Sequence, residues 1–300
     1  MDRQNDLFNR ISEICEAKAD EPMSLHTSFK IGGPADIFAE PRSTEELVSL
    51  LTFLQGVNEP FIVIGNGTNL LVRDEGFRGT VIKIGRGFSD VSVDGLVVKA
   101  GAGMTLAALA KRAGDASVSG FEELSGIPGT VGGAVRMNAG AYGVSVSDLL
   151  VSVTYFDGEK LKTISDDEAD LSYRHSIFCD IKNAVIVEAV FEGRCCRPKE
   201  EIAAAQAEYN ERRRNSQPLD FPSAGSTFKR PASGYASRLI DECGLKGCRV
   251  GGAEVSQKHA GFVINTGGAT ACDVLALMEK VEATVLEKTG VELEPEIVIV

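Results

Sequence analysis

The sequence predicts a mixed α+β fold divided into more than one domain, and three observations predict it. Its 300 residues reach the size at which single hydrophobic cores stop growing, about 250–300 residues. Strand-like segments are grouped along the middle of the chain instead of alternating strictly with helices, which is the α+β order of elements. Near residue 195 the composition changes from short apolar segments to charged, helix-favouring ones.

Asp2–Ala17 mixes apolar and charged residues in a pattern that suits a first helix. Ser43-Thr44-Glu45-Glu46 reads as a capping box, after which Leu47, Leu50, Leu51 and Leu54 recur at helical spacing. Pro60–Ile64 is a short apolar strand ending in Gly65-Asn66-Gly67-Thr68-Asn69, which completes a βα unit. Short strands follow at Val81–Ile84, Val91–Val93 and Leu96–Ala100, then a helix at Leu106–Ala113. Ser125–Gly143 is rich in glycine and too long for a turn. Strands Val151–Phe156 and Ala184–Phe191 close this half, and Arg197–Arg214 begins the next as a charged helix. Helices at Tyr235–Cys243 and Ala271–Lys288 come after it; the second sets Val274, Leu277, Met278, Val281 and Val285 on one face and stops at Gly290. Glu296–Val300 is the closing strand.

Composition narrows the function. With 43% apolar and 25% charged residues, the chain has ordinary globular content and is not a disordered one. A net charge of −12 argues against nucleic acid as a partner. Met1–Asp20 shows no leader-type apolar run, and no segment approaches the roughly 20 apolar residues of a membrane span. A cytoplasmic location is therefore expected. The seven cysteines lack CxxC pairs and read as bland thiols of a reducing compartment. His26, His175 and His259 are far apart and show no zinc-ligand spacing.

Three glycine stretches invite a ligand. Gly65-Asn66-Gly67-Thr68-Asn69-Leu70 follows a strand, where successive N–H groups can form an anion-binding nest. Leu70 occupies the place of the third glycine, so the dinucleotide fingerprint fails, and taken alone a structural turn is the better reading of this stretch. Gly101-Ala102-Gly103 fails in the same way at Leu106 and reads as a strand-to-helix turn. Ser125–Gly143 carries six glycines in nineteen positions. So much bare backbone is entropically costly unless something packs against it, and a large pyrophosphate ligand would do so. From Arg212 to His259 nine basic residues face four acids. That suits an anionic small molecule, and a solvated charged face is the plainer alternative.

Three further segments carry isolated polar groups: Tyr173-Arg174-His175-Ser176, Ala224-Gly225-Ser226-Thr227-Phe228-Lys229 and Leu293-Glu294-Pro295-Glu296. Separately these fit a surface ion pair, a turn hydroxyl and a solvent-facing strand acid. No nucleophile elbow surrounds Ser226. Together with GNGTNLLV (65–72), SGIPGTVGGAVRMNAGAYG (125–143), VGGAEVSQKHAGFVIN (250–265) and LEPEIVIV (293–300), the chain closely resembles the UDP-N-acetylenolpyruvoylglucosamine reductases from about His26 onward. These are flavoenzymes of bacterial cell-wall synthesis. The likeness is to the shorter class, which lacks an inserted loop with a substrate-covering tyrosine. Arg136 stands where many relatives carry an aromatic.

The resemblance implies non-covalent FAD in the fold of vanillyl-alcohol-oxidase-like (PCMH-type) flavoproteins. Residues 1–195 would form the FAD-binding domain, in subdomains of about 1–85 and 86–195, and 196–300 an α+β substrate-binding domain. Gly65, Asn66, Gly67, Thr68, Asn69, Leu70, Gly126, Ile127, Pro128, Gly129, Thr130, Gly132, Gly133, Asn138, Ala139 and Gly140 are the implied cofactor contacts. Arg174, Ser226 and Glu296 map onto the catalytic positions. NADPH would reduce the flavin, and the enolpyruvyl substrate would then take its hydride. Arg174, with Glu296 as hydrogen-bonding, protonated partner, would stabilise the enolate-like charge, and Ser226 would protonate the α-carbon. Tyr173, Lys229, Arg238, His259 and Asn265 would meet substrate, and a monomer is expected. The alternatives are an FAD-dependent alcohol or sugar oxidase, disfavoured because no histidine to tether flavin lies in the 65–72 or 125–143 motifs, and a non-catalytic nucleotide-binding module.

Overall fold

The computed structural model describes residues 3–300; Asp2, the first residue of the expected helix, lies outside them. The chain forms two compact units, one of residues 1–19, 37–66 and 79–213, the other of residues 20–36, 67–78 and 214–300.

The first unit opens with helix α1 (Arg3–Ile14), and Glu16–Pro22 is a strand where helix was expected to continue to Ala17. Its exposed, charged residues suit a sheet edge, where charge discourages pairing with other chains. Helix α2 (Thr44–Gly56) starts where the capping box places it. Ser43 Oγ accepts the Glu46 N–H, and Leu47, Leu50, Leu51 and Leu54 are fully buried. Strand Phe61–Ile64 runs parallel to Phe77–Lys83, in a four-stranded sheet completed by Pro34–Glu40 and Glu16–Pro22.

A five-stranded antiparallel sheet follows, in the order Leu161–Ser165, Leu150–Phe156, Val185–Glu192, Val97–Gly101, Val91–Asp94. Helix α3 (Leu106–Asp115) is capped by Thr105, and a short helix α4 (Val131–Arg136) lies inside the glycine-rich stretch. Phe121 and Phe191 pack edge to face at 6.0 Å, as do Tyr155 and Phe178 at 5.0 Å. Each aromatic ring so buried contributes about 1.5–3 kcal/mol.

Helix α5 (Lys199–Ser216) was expected to begin the C-terminal domain, yet the unit boundary falls after Arg213, not near 195. The reason is local: Ile202 is its single buried apolar residue and packs on Gly114, while Gln206 Nε2 donates to the Ala110 carbonyl at 2.9 Å.

The second unit takes in two early segments as well as the C-terminal third. The Gly33 N–H donates to the Arg73 carbonyl, and Leu70–Leu71 pairs in parallel with Val298–Ile299. Helix α6 (Ala236–Glu242) and helix α7 (Ala271–Thr289) bracket a three-stranded sheet of Arg249–Val250, Ala253–Val255 and Val263–Asn265. Helix α7 has a Thr270/Asp273 capping box and a left-handed Gly290 at its end, and it buries the five predicted apolar residues. No helix among the described residues is long and apolar enough to cross a membrane. Burial, with Glu46 nearby, pushes the Cys15 thiol up to about 11, so it stays protonated and unreactive.

Candidate functional site

In the first unit, Gly65 leaves its strand directly against Thr130, the N-cap of α4: a Cβ there would lie 2.3 Å from Thr130 Oγ1. Gly126 is pressed likewise on Asn210 Oδ1 (2.6 Å), Gly132 on Ala102 Cβ (3.0 Å) and Gly140 on the Val144 carbonyl (2.7 Å). Much of the bare backbone is thus required by the protein's own packing, which corrects the expectation that a ligand alone explains it. Gly133 and Gly143 are exceptions, for a Cβ at Gly133 would meet only Thr130 Oγ1, at an ordinary 3.7 Å, and one at Gly143 nothing within 4 Å.

The main-chain donors of this region are divided. The N–H groups of Val131 and Gly132 go to the carbonyls of Met104 and Ala102, and that of Ile127 to Leu124. Among the described residues, the N–H groups of Asn66 and Gly129 donate to no protein acceptor. Uncommitted N–H groups beside an open glycine fit the pyrophosphate of a dinucleotide such as FAD.

Arg174 sits at the tip of a tight turn closed by reciprocal main-chain bonds between Ser172 and His175. Its φ of 57° is left-handed, a conformation that costs a side-chain-bearing residue roughly 1–2 kcal/mol. The guanidinium lies over the exposed Tyr173 ring, 5.2 Å from its centre. Asn138, expected to touch cofactor, is buried and uses both ends of its carboxamide inside the fold. Its Nδ2 donates to the Ser172 carbonyl (3.0 Å) and its Oδ1 accepts the Ser147 N–H (3.0 Å). Ser176 Oγ donates to the Arg136 carbonyl at 2.7 Å, and Arg136 donates to that of Phe178. The glycine-rich segment therefore carries the Arg174 turn. Neighbouring Ala139 continues the α4 exit, and Pro128 and Ile127 form its approach, with Ile127 packed on the core.

In the second unit, Ser226 and Glu296 are brought together from opposite ends of the C-terminal domain. The Glu296 N–H donates to the Thr227 carbonyl and the Lys229 N–H to that of Glu294, both at 2.8 Å, around an antiparallel bridge of Phe228 with Pro295. Buried Thr227, which the sequence gave no reason to single out, accepts the Val263 N–H on its Oγ1 and donates its own N–H to Gly261. Both Ser226 and Glu296 are half-buried. Gly67 is held against the His26 carbonyl, which a Cβ would meet at 2.1 Å, and Leu70 lies in the strand paired with Val298. Thr68 falls between them, and Asn69 turns its side chain to the Glu296 carbonyl, 3.1 Å away.

The expected substrate contacts separate. Arg238 and His259 line one open cleft of about 510 Å³, while Lys229 lines another of about 480 Å³ and is paired with Glu294 at 3.2 Å. Burial, with Lys246 nearby, lowers the His259 pKa, so the ring is neutral near pH 7. Its Nδ1 accepts the Gly261 N–H, so the neutral ring carries its proton on Nε2. Asn265 is buried and fully engaged by Phe29, Gly267 and Ala269. Nor does the basic run make a purely positive surface: Arg212, Lys229, Arg238, Lys246 and Arg249 each face an acid. Tyr209 and Asn210 of α5 escaped sequence reasoning. Asn210 donates to Ser125 Oγ beside Gly126, and Tyr209 stacks near Tyr142; a helix without an apolar face gives no sign of what it covers.

Comparison with known proteins yields a consistent set of matches. Residues 217–300 match the family described as UDP-N-acetylenolpyruvoylglucosamine reductase, C-terminal domain, and residues 35–160 match an FAD binding domain. A UDP-N-acetylenolpyruvoylglucosamine reductase of Agathobacter rectalis is 50% identical over 292 residues, covering 93% of this chain and 92% of its own. One from Caldanaerobacter subterraneus subsp. tengcongensis is 48% identical over 301 residues, covering 98% of each. The crystal structure of UDP-N-acetylenolpyruvylglucosamine reductase (MurB) from Thermus caldophilus matches with a TM-score of 0.79 at 35% identity, over 95% of this chain and 98% of that one.

Proposed function

Because this chain belongs to the UDP-N-acetylenolpyruvoylglucosamine reductase family, we propose that it reduces the enolpyruvyl ether of UDP-N-acetylglucosamine to UDP-N-acetylmuramate, with NADPH as reductant. The chain is an oxidoreductase of peptidoglycan precursor synthesis with an FAD-binding domain. The observation that supports the finer reading is the main-chain pairing that sets Glu296 opposite Thr227, the chain neighbour of Ser226, from segments far apart in sequence.

The residues suited to hold FAD are those with uncommitted N–H groups, Asn66 and Gly129, together with open Gly133. FAD, when bound there, would supply the hydride-transfer chemistry that links NADPH to the substrate's methylene carbon. The remaining chemistry falls to side chains of this chain. Hydride addition leaves an electron pair on the α-carbon, shared with its carboxylate. The Arg174 guanidinium stabilises that charge with a two-pronged donor set, a kind of term worth about 3–4 kcal/mol. Glu296, in its protonated form, donates a hydrogen bond to the same developing charge. Ser226 delivers the proton that completes the α-carbon, and its weak acidity suffices because the carbanion is a strong base.

The test separates the half-reactions. Protein loaded with FAD and reduced anaerobically by NADPH is mixed with UDP-N-acetylglucosamine enolpyruvate, and flavin absorbance is followed by stopped flow. Prompt reoxidation is expected, with Ser226→Ala reduced by NADPH at the normal rate but reoxidised ~10²–10⁴ times more slowly. Reduced flavin that ignores the substrate overturns the reading.

A further inference from the structure

Glu296 is gripped at both main-chain polar groups. Its N–H donates to Thr227, and its carbonyl accepts from Asn69 Nδ2 at 3.1 Å. Asn69 also receives the Val298 N–H on its own carbonyl at 2.9 Å. One residue therefore spans positions 296 and 298. At this point the C-terminal segment stops pairing antiparallel with Thr227–Lys229 and begins pairing in parallel with Leu70–Leu71. A change of partner strand leaves a gap in the main-chain ladder, and a buried or half-buried carbonyl there needs a donor from elsewhere. The Asn69 carboxamide fills that gap as a substitute N–H.

We propose that Asn69 is a positioning residue for Glu296: its side chain fixes the peptide that follows Glu296 and so the direction in which the carboxyl is presented. This rests on the reading of Glu296 as part of the reaction machinery. It gives the Asn69 side chain a use beside the expected cofactor contact, since one of its two Nδ2–H donors goes to the Glu296 carbonyl. Asparagine is suited to the task because it carries an N–H donor on a short stem, whereas aspartate at the same place offers only acceptors and sets a negative charge against a carbonyl oxygen.

The experiment measures both half-reactions in Asn69→Asp, Glu296→Gln and the double variant. Asn69→Asp should bind FAD and be reduced by NADPH as wild type does. Its substrate-driven reoxidation should slow by ~10–10²-fold, the scale of a small misplacement of a reacting group. In the Glu296→Gln background the same substitution should add less than about twofold, as for residues that act as one unit. Asn69→His, which keeps an N–H near the same position, should recover part of the lost rate; it also serves should Asn69→Asp fail to fold. Two outcomes overturn the proposal: effects that multiply in the double variant, or a loss confined to FAD affinity or to flavin reduction. If Glu296→Gln alone reoxidises at the wild-type rate, the underlying reading of Glu296 fails instead. If Glu296→Gln is slow while both Asn69 variants are fast, only the positioning role fails.

Discussion

The two units hold their reactive residues by opposite means. In the first, Arg174 stands on a turn with a left-handed backbone, anchored mainly by side chains: Asn138 on Ser172, Ser176 on Arg136, and His175 near Asp180 at 3.0 Å. In the second, Ser226 and Glu296 are set by main-chain pairing at Thr227, Phe228 and Lys229. Any residue except proline supplies a main-chain N–H, so a ladder tolerates substitution, whereas a side-chain anchor is lost with one change. The turn should therefore be the fragile half and the ladder the robust one, except where Asn69 or Thr227 lends a side chain to it.

The sharpest way to probe this contrast is at the tip of the turn. Arg174→Lys keeps the charge but not the forked donors, and substrate-driven reoxidation should slow by ~10²–10³-fold; a loss under tenfold would show that charge alone is needed there. Next comes the anchor. Asn138→Ala strands the Ser147 N–H and takes one of two donors from the Ser172 carbonyl, and should cost about 1–3 kcal/mol in urea unfolding, together with a slower reoxidation step. Ser223→Ala, on the ladder side, should change neither, because Ser223 is held through its carbonyl, which accepts from Ser28 Oγ at 2.6 Å.

The glycines offer a comparison of similar size within the first unit. Gly65→Ala drives a methyl into Thr130 and should destabilise by about 1–3 kcal/mol. Gly133→Ala, with its nearest neighbour at 3.7 Å, should keep stability or raise it by roughly 0.5–1 kcal/mol, since alanine favours a helix. If Gly133→Ala nonetheless weakens FAD binding in an equilibrium titration, that face meets the cofactor; unaltered binding would mean that it does not.

The smallest expected effect is one of pH. Burial lowers the His259 pKa below its ordinary 6.5, so the folded state binds fewer protons than the unfolded chain. Stability from this residue is present above about pH 6.5 and declines as the pH falls through that value toward the folded pKa. His259→Asn should flatten the fall in the urea midpoint between about pH 7 and pH 5 by under ~1 kcal/mol. An unchanged slope would locate the proton uptake elsewhere.

The sequence made the regular elements legible, and the residue families within them, but not their partners. The charged edge strand Glu16–Pro22 was hidden because its residues carry no strand-like alternation, and α4 because two of its six residues are glycines. Asn69 and Asn138 were marked as site residues from their place in glycine motifs. Asn69 Nδ2, however, donates to Glu296, and the Asn138 carboxamide engages Ser172 and Ser147, which no local pattern encodes.

Helix α2 with its cap and four buried leucines, and helix α7 with its capping box and terminal glycine, were determined by the sequence alone. Periodicity and capping act over one or two turns of chain, within reach of a linear reading. Only the tertiary structure decided that Ser226 pairs beside Glu296, that Asn138 carries the Arg174 turn, and that α5 packs with the first unit. Those contacts join segments far apart in sequence, and their register is selected by how buried surfaces and main-chain donors are satisfied at once across the fold.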